Sequence, residues 1–71
     1  MAESWQQATA SEVAIGDVVR TQNGDVVTVS RIEANFLGNE AMLAFIEDTP
    51  ERWYKRPARS DAEVHILRAV D

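Results

Sequence analysis

The segment Arg52-Trp53-Tyr54-Lys55-Arg56 holds the side chains whose types and spacing could do chemistry. In an extended chain successive side chains alternate, so Arg52, Tyr54 and Arg56 share one face while Trp53 and Lys55 share the other. Bases stack on aromatic rings and neighbouring guanidinium groups take phosphates, so an exposed Tyr54 between two arginines has the makeup of a single-strand nucleic-acid platform. The same residue types also anchor protein interfaces. Trp53, on the opposite face, reads as a core residue. Residues 52–59 carry four cations (Arg52, Lys55, Arg56, Arg59), flanked by Glu47, Asp48, Glu51, Asp61 and Glu63. That acidic surround repels a polyanion, so a site for a protein partner is the preferred reading and nucleic-acid contact the alternative.

Other chemistry is thinly supplied. His65 is the single histidine, and Ser30 or Ser60 could act as a nucleophile only if His65 and a carboxylate converged on it from separate segments, which nothing in the spacing suggests. The acids Glu47, Asp48 and Glu51 lack the alternating oxygen ligands and glycine of a calcium loop. With no cysteine, thiolate metal sites and disulfides are excluded. The sequence therefore predicts a non-catalytic protein with no metal and no cofactor.

A formal net charge of −5, from 12 acids against 7 lysines and arginines, argues further against binding nucleic acid by bulk electrostatics. The opening Met-Ala-Glu-Ser-Trp-Gln-Gln has neither a basic region nor an apolar stretch, and no apolar run reaches the ~20 residues a bilayer requires. The expectation is a cytoplasmic protein without a membrane partner.

The elements that must position these side chains read as strands. In Ile15-Gly-Asp-Val-Val-Arg-Thr-Gln-Asn-Gly-Asp-Val-Val-Thr-Val-Ser-Arg-Ile32, valine and threonine surround Asn23-Gly24, a pair that tolerates positive φ in a tight turn. Residues 17–21 and 26–33 are predicted as one antiparallel hairpin. Before it, Ser11 can cap a single helical turn. Residues 41–46, Ala-Met-Leu-Ala-Phe-Ile, are too short and too uniformly apolar for a surface helix and are predicted as a strand. Residues 52–56 form a further short strand, residues 57–61 a turn around Pro57, and residues 63–68 a last strand with Val64 and Ile66 on one face.

With no repeat, linker or low-complexity tract, the 71 residues read as a single domain: an N-terminal arm or edge strand over 1–10 and a barrel core over 11–68. Five or six short strands at about ten-residue spacing predict a small all-β antiparallel barrel. The Ile15-Gly16-Asp17-Val18-Val19 step, the Asn-Gly turn, Thr28-Val29 and the closing Glu63-Val64-His65-Ile66-Leu67 strand resemble SH3-like barrels. The alanine-rich, lysine-poor composition looks like that of small accessory proteins of actinobacteria and their phages.

The run 42–46 is apolar on both faces, Met42, Ala44 and Ile46 on one and Leu43 and Phe45 on the other, whereas a one-sided wall needs only one set. A loop or the Trp5 segment covers the second set, or a protein partner or second copy does. Met42, Leu43 and Phe45 accordingly join Arg52, Tyr54 and Arg56 as candidate binding residues of a small regulatory or accessory factor.

Overall fold

The computed structural model describes residues 2–70, and their architecture is all-β and antiparallel. Seven strands form two sheets: β1 (Ala2–Thr9), β7 (Glu63–Val70), β2 (Val18–Arg20) and β3 (Val26–Thr28) in that spatial order, and β4 (Arg31–Ala34), β5 (Met42–Asp48) and β6 (Trp53–Arg59). Among the described residues no helix is long and apolar enough to cross a membrane.

The β2–β3 hairpin forms as the valine runs dictate, with Val19 opposite Val27. Its loop is one residue longer than a two-residue turn. The Gly24 amide donates to the Thr21 carbonyl and the Thr21 amide to Asp25, both at 2.9 Å. Only Gly24 takes positive φ (+88°), where its missing Cβ removes the usual penalty, and Asn23 does not.

The predicted strand over 26–33 is broken. Val29 still bonds to the β2 side, donating to the Asp17 carbonyl at 2.9 Å and accepting from the Gly16 amide at 2.8 Å. One residue later the Ser30 amide donates to Ile46 in the other sheet at 2.7 Å. The chain thus changes sheets between two successive residues, and the inner faces of the sheets are brought together. Val19, Val27, Val29, Val64 and Ile66 meet Leu43 and Phe45 there, with Ala10 and Val13 closing one side.

The expected closed barrel is not formed. Closure would require β3 to continue into a ladder with the other sheet, but side chains occupy two of its outward backbone groups: the Glu47 carboxylate accepts from the Thr28 amide at 3.0 Å, and Arg52 Nη2 donates to the Val26 carbonyl at 3.5 Å.

The predicted turn at Pro57 is also corrected, since β6 runs through Pro57 to Arg59. The Thr49 and Arg52 amides exchange bonds with each other's carbonyls, so the even-numbered residues of β6 bond inward to β5 and the odd-numbered ones face outward. Pro57 therefore places its hydrogen-less nitrogen on the open edge, the position a strand tolerates.

β1 is an edge strand paired with β7 over its whole length. The turn after it, Ala10–Glu12, is capped by Thr9 and not by Ser11. The Glu12 carboxylate accepts from the Thr9 amide (3.1 Å) and the Thr9 hydroxyl (2.9 Å). Chiefly the amide bond, then the hydroxyl bond, holds the Glu12 carboxyl below its ordinary pKa.

Two outcomes follow. Phe45 is fully buried, so Phe45→Ala should cost about 3–5 kcal/mol in denaturant unfolding, and a loss below ~1 kcal/mol would remove it from the core. Because the folded-state pKa of Glu12 is depressed, its stabilisation is complete above the unfolded value and is lost as pH falls through the folded one. The melting-temperature advantage of the wild type over Glu12→Gln should therefore be full at neutral pH and vanish in acid; an advantage independent of pH would show that the ionised carboxylate is not its source.

Candidate binding surface

The two-residue turn Pro50–Glu51 sets the β5–β6 register: Phe45 lies opposite Arg56, Ile46 opposite Lys55, Glu47 opposite Tyr54 and Asp48 opposite Trp53. Since Leu43 and Phe45 point into the core, Tyr54 and Arg56 point to the same side, and Trp53 and Lys55 point away from it. The predicted alternation holds, but its sense is opposite to the one expected. Trp53 is 60% exposed and no core residue, while the half-buried Tyr54 packs against the core and offers no open platform.

Arg52, Tyr54 and Arg56 come together along the seam between the two sheets. The Arg52 guanidinium stacks 4.5 Å from the Tyr54 ring centroid and lies 3.9 Å from Glu47, and Arg56 reaches Asp25 in the β2–β3 loop at 3.3 Å. These contacts latch β6 to β3 where backbone bonding stops. The other predicted residues do not join them. Leu43 and Phe45 are buried, which removes them from any surface of the folded chain, and the half-buried Met42 lies at the far end of β5 opposite Arg59.

The outer face of β5 is covered from within the chain. Lys55 bridges to Glu33 at 2.9 Å, spanning β5 between β6 and β4. Its ammonium also sits 4.7 Å from the Phe36 ring centroid, in the short turn Phe36–Gly38 between β4 and β5. Leu37, next along, is 87% exposed and held at φ +57°, a conformation a leucine rarely adopts. Trp53 and Phe36 are thus apolar groups presented on or beside this face, and Leu37 is exposed in the same short turn as Phe36. The Thr49–Arg52 turn sets the parity of β6 against β5, so the outward placement of Trp53 follows once Leu43 and Phe45 are known to face the core.

All four cations of residues 52–59 are paired, since Arg59 meets Asp61 at 3.2 Å. Exposed pairs contribute only about 0–1 kcal/mol each, so breaking them is not the obstacle to binding a phosphate. The obstacle is the carboxylate each leaves beside an incoming anion.

Ser30, Ser60 and His65 lie on separate elements. The Ser60 hydroxyl donates to the Ala41 carbonyl and the Ser30 hydroxyl accepts from the Asp48 amide, while His65 lies across from Gln7 and Arg20 in the other sheet. Among the described residues no three histidine, aspartate or glutamate side chains converge as metal ligands. A cleft of about 140 Å³ beside Arg56 is lined by Thr21, Asn23, Ala58 and Glu63, and the Thr21 hydroxyl is buried without a hydrogen-bond partner.

No protein-family model matches the chain, and no solved structure matches it. The chain is similar to part of a cysteine–tRNA ligase of Xylella fastidiosa (strain Temecula1 / ATCC 700964), at 26% identity over 72 residues. The match covers all of this chain and 15% of the ligase.

The latch has a measurable coupling. A double-mutant cycle of Asp25→Asn and Arg56→Gln should return about 0.5–1 kcal/mol at low ionic strength and fall toward zero in 1 M salt. A coupling of zero at low salt would show that the pair does not tie the hairpin loop to β6.

Proposed function

We propose that this chain is a non-catalytic protein-binding module, a small regulatory or accessory factor, whose contact surface is the outer face of the three-stranded sheet around Trp53. The observation that carries the reading is the exposed indole of Trp53 beside a fully paired set of cations. Tryptophan carries much of the energy at protein interfaces, and a neutralised surround favours an apolar pocket of a partner over a polyanion.

The SH3-like resemblance belongs to this proposal in an open form. Supporting it are the order β7-β2-β3 in one sheet and β4-β5-β6 in the other, with β3 and β4 as two halves of one bent strand. β1 is then an addition outside that core. The likeness in composition to accessory proteins of actinobacteria and their phages fits a factor of this kind.

The alternative is a nucleic-acid-contacting module using residues 52–59. It draws support from the same geometry, since Trp53 and Lys55 share an exposed face, and from the similar ligase, which by its name acts on tRNA.

One set of variants separates the two. Proteins recovered from the native host by the wild-type chain should be lost with Trp53→Ala and Leu37→Ala, at a cost of ~2 kcal/mol or about thirtyfold in affinity for Trp53→Ala. The melting temperature should not move, because Trp53 faces outward. No detectable shift of single-stranded RNA or tRNA is expected at physiological salt. Micromolar RNA binding abolished by Lys55→Glu would overturn the protein-binding reading in favour of the alternative.

A further inference from the structure

The four edge strands of this fold are unequally protected against pairing with another chain. β3 is three residues long and has two of its outward groups, the Thr28 amide and the Val26 carbonyl, taken by Glu47 and Arg52. β6 carries Pro57 on its open side, and β4 is four residues long with Arg31 and Glu33 in ion pairs. β1 has none of these devices: it runs for eight residues with no proline, no cation and a single acid, Glu3.

The ladder fixes which backbone groups of β1 are open. The Ala10 amide donates to the Ala62 carbonyl at 2.9 Å in the register that continues Thr9↔Glu63, so even-numbered residues of β1 turn N–H and C=O toward β7. Odd-numbered residues turn theirs outward. The outward amide of Thr9 is occupied by Glu12. Glu3, Trp5 and Gln7 keep theirs, and none of these groups bonds to another described residue outside the strand ladder.

We propose that a second copy of this chain pairs antiparallel along β1, about a two-fold axis at Trp5, extending the four-stranded sheet into one of eight strands. An axis perpendicular to the sheet requires outer-facing residues to meet outer-facing residues, so it passes through a residue and not between two. Centring it on Trp5 sets Trp5 opposite the partner's Trp5, and Glu3 opposite the partner's Gln7. Each of the three odd-residue pairs exchanges two backbone bonds, and every open donor and acceptor of Glu3, Trp5 and Gln7 is used. An axis at Gln6 would require the Thr9 amide that Glu12 holds, and an axis at Glu3 would set two carboxylates face to face.

Side chains agree with this register. Each chain carries −5 overall, yet the one charge on β1 meets a neutral amide. The two indoles form a cross-strand aromatic pair, with the Arg20 guanidinium already 4.5 Å from the Trp5 ring centroid. This edge lies on the sheet that does not carry Trp53, and the inference stands independently of the proposed function.

Sedimentation equilibrium of the full chain tests it. The weight-average mass should rise from 7.9 kDa toward twice that value between about 10 μM and 1 mM. Trp5→Pro removes an outward N–H while sparing the β1–β7 bonds, and should weaken association at least ~tenfold. Gln7→Lys places a cation opposite Glu3 and should tighten association at low salt, with the gain lost at high salt. Trp53→Ala should leave the dimer intact. In the wild type, the amides of Glu3, Trp5 and Gln7 should gain protection from hydrogen exchange as concentration rises, a readout that needs no variant to fold. A monomer throughout, with those amides unprotected, would overturn the proposal and leave the edge to an extended segment of another protein. A dimer indifferent to Trp5→Pro would overturn the edge, and one indifferent to Gln7→Lys would overturn the Trp5-centred register.

Discussion

Between Val29 and Ser30 the backbone transfers its hydrogen bonds from one sheet to the other, and the rest of the fold depends on that transfer. Val29 is held by Asp17 and Gly16, and Ser30 by Ile46, with the Asp48 amide donating to the Ser30 hydroxyl at 3.0 Å. A buried amide left unpaired at such a point would cost about 1–3 kcal/mol, so the switch requires acceptors waiting on both sides. Those acceptors are the Asp17 and Ile46 carbonyls, and Gly16 supplies the matching donor: at φ +96° it turns its amide onto the Val29 carbonyl, in a conformation that a side chain would strain. Once the switch is made, the valines of β2 and β3 must face Leu43 and Phe45, and the core is defined.

That switch also explains why an all-β sequence with barrel-like spacing yields two sheets. The gap beyond β3 is spanned by side chains, Glu47 and Arg52 to its backbone and Arg56 to Asp25. Residues whose chemistry suggested a recognition platform are largely occupied in holding the molecule shut. Their neighbours of opposite parity, Trp53 and Lys55, are the ones the same strand turns outward. Charge follows a similar logic. The first 40 residues are the more acidic part of the sequence, and in space Asp25 and Glu33 from that part neutralise Arg56 and Lys55 from the basic island.

Much of this was legible in the residues. The β2–β3 hairpin was legible because β-branched residues flank a glycine where positive φ is needed, and β5 because a run so short and apolar has no amphipathic alternative. The inward sense of β6 was not, since β5 is apolar on both faces and alternation alone cannot choose between Leu43 with Phe45 and Ala44 with Ile46. The break at Ser30 was hidden because a sheet change leaves the period of two almost unaltered. Pro57 misled because its compatibility with a strand depends on which edge is open, a property of the assembled sheet and not of the local chain. β1 has too few apolar residues to declare a periodicity, so its pairing emerges only once β7 is placed beside it.

The pairing of Ala2 with Val70 puts the two ends of the described chain one inter-strand spacing apart, about 5 Å, on adjacent antiparallel strands. Tension applied across those ends loads the β1–β7 ladder by peeling, so its bonds meet the force one pair at a time and never as a set. Mechanically, the fold is a zipper whose two pulls hang side by side. β1 leaves first at low force, and the β2–β7 contacts behind it take the load only after the outer strand is gone.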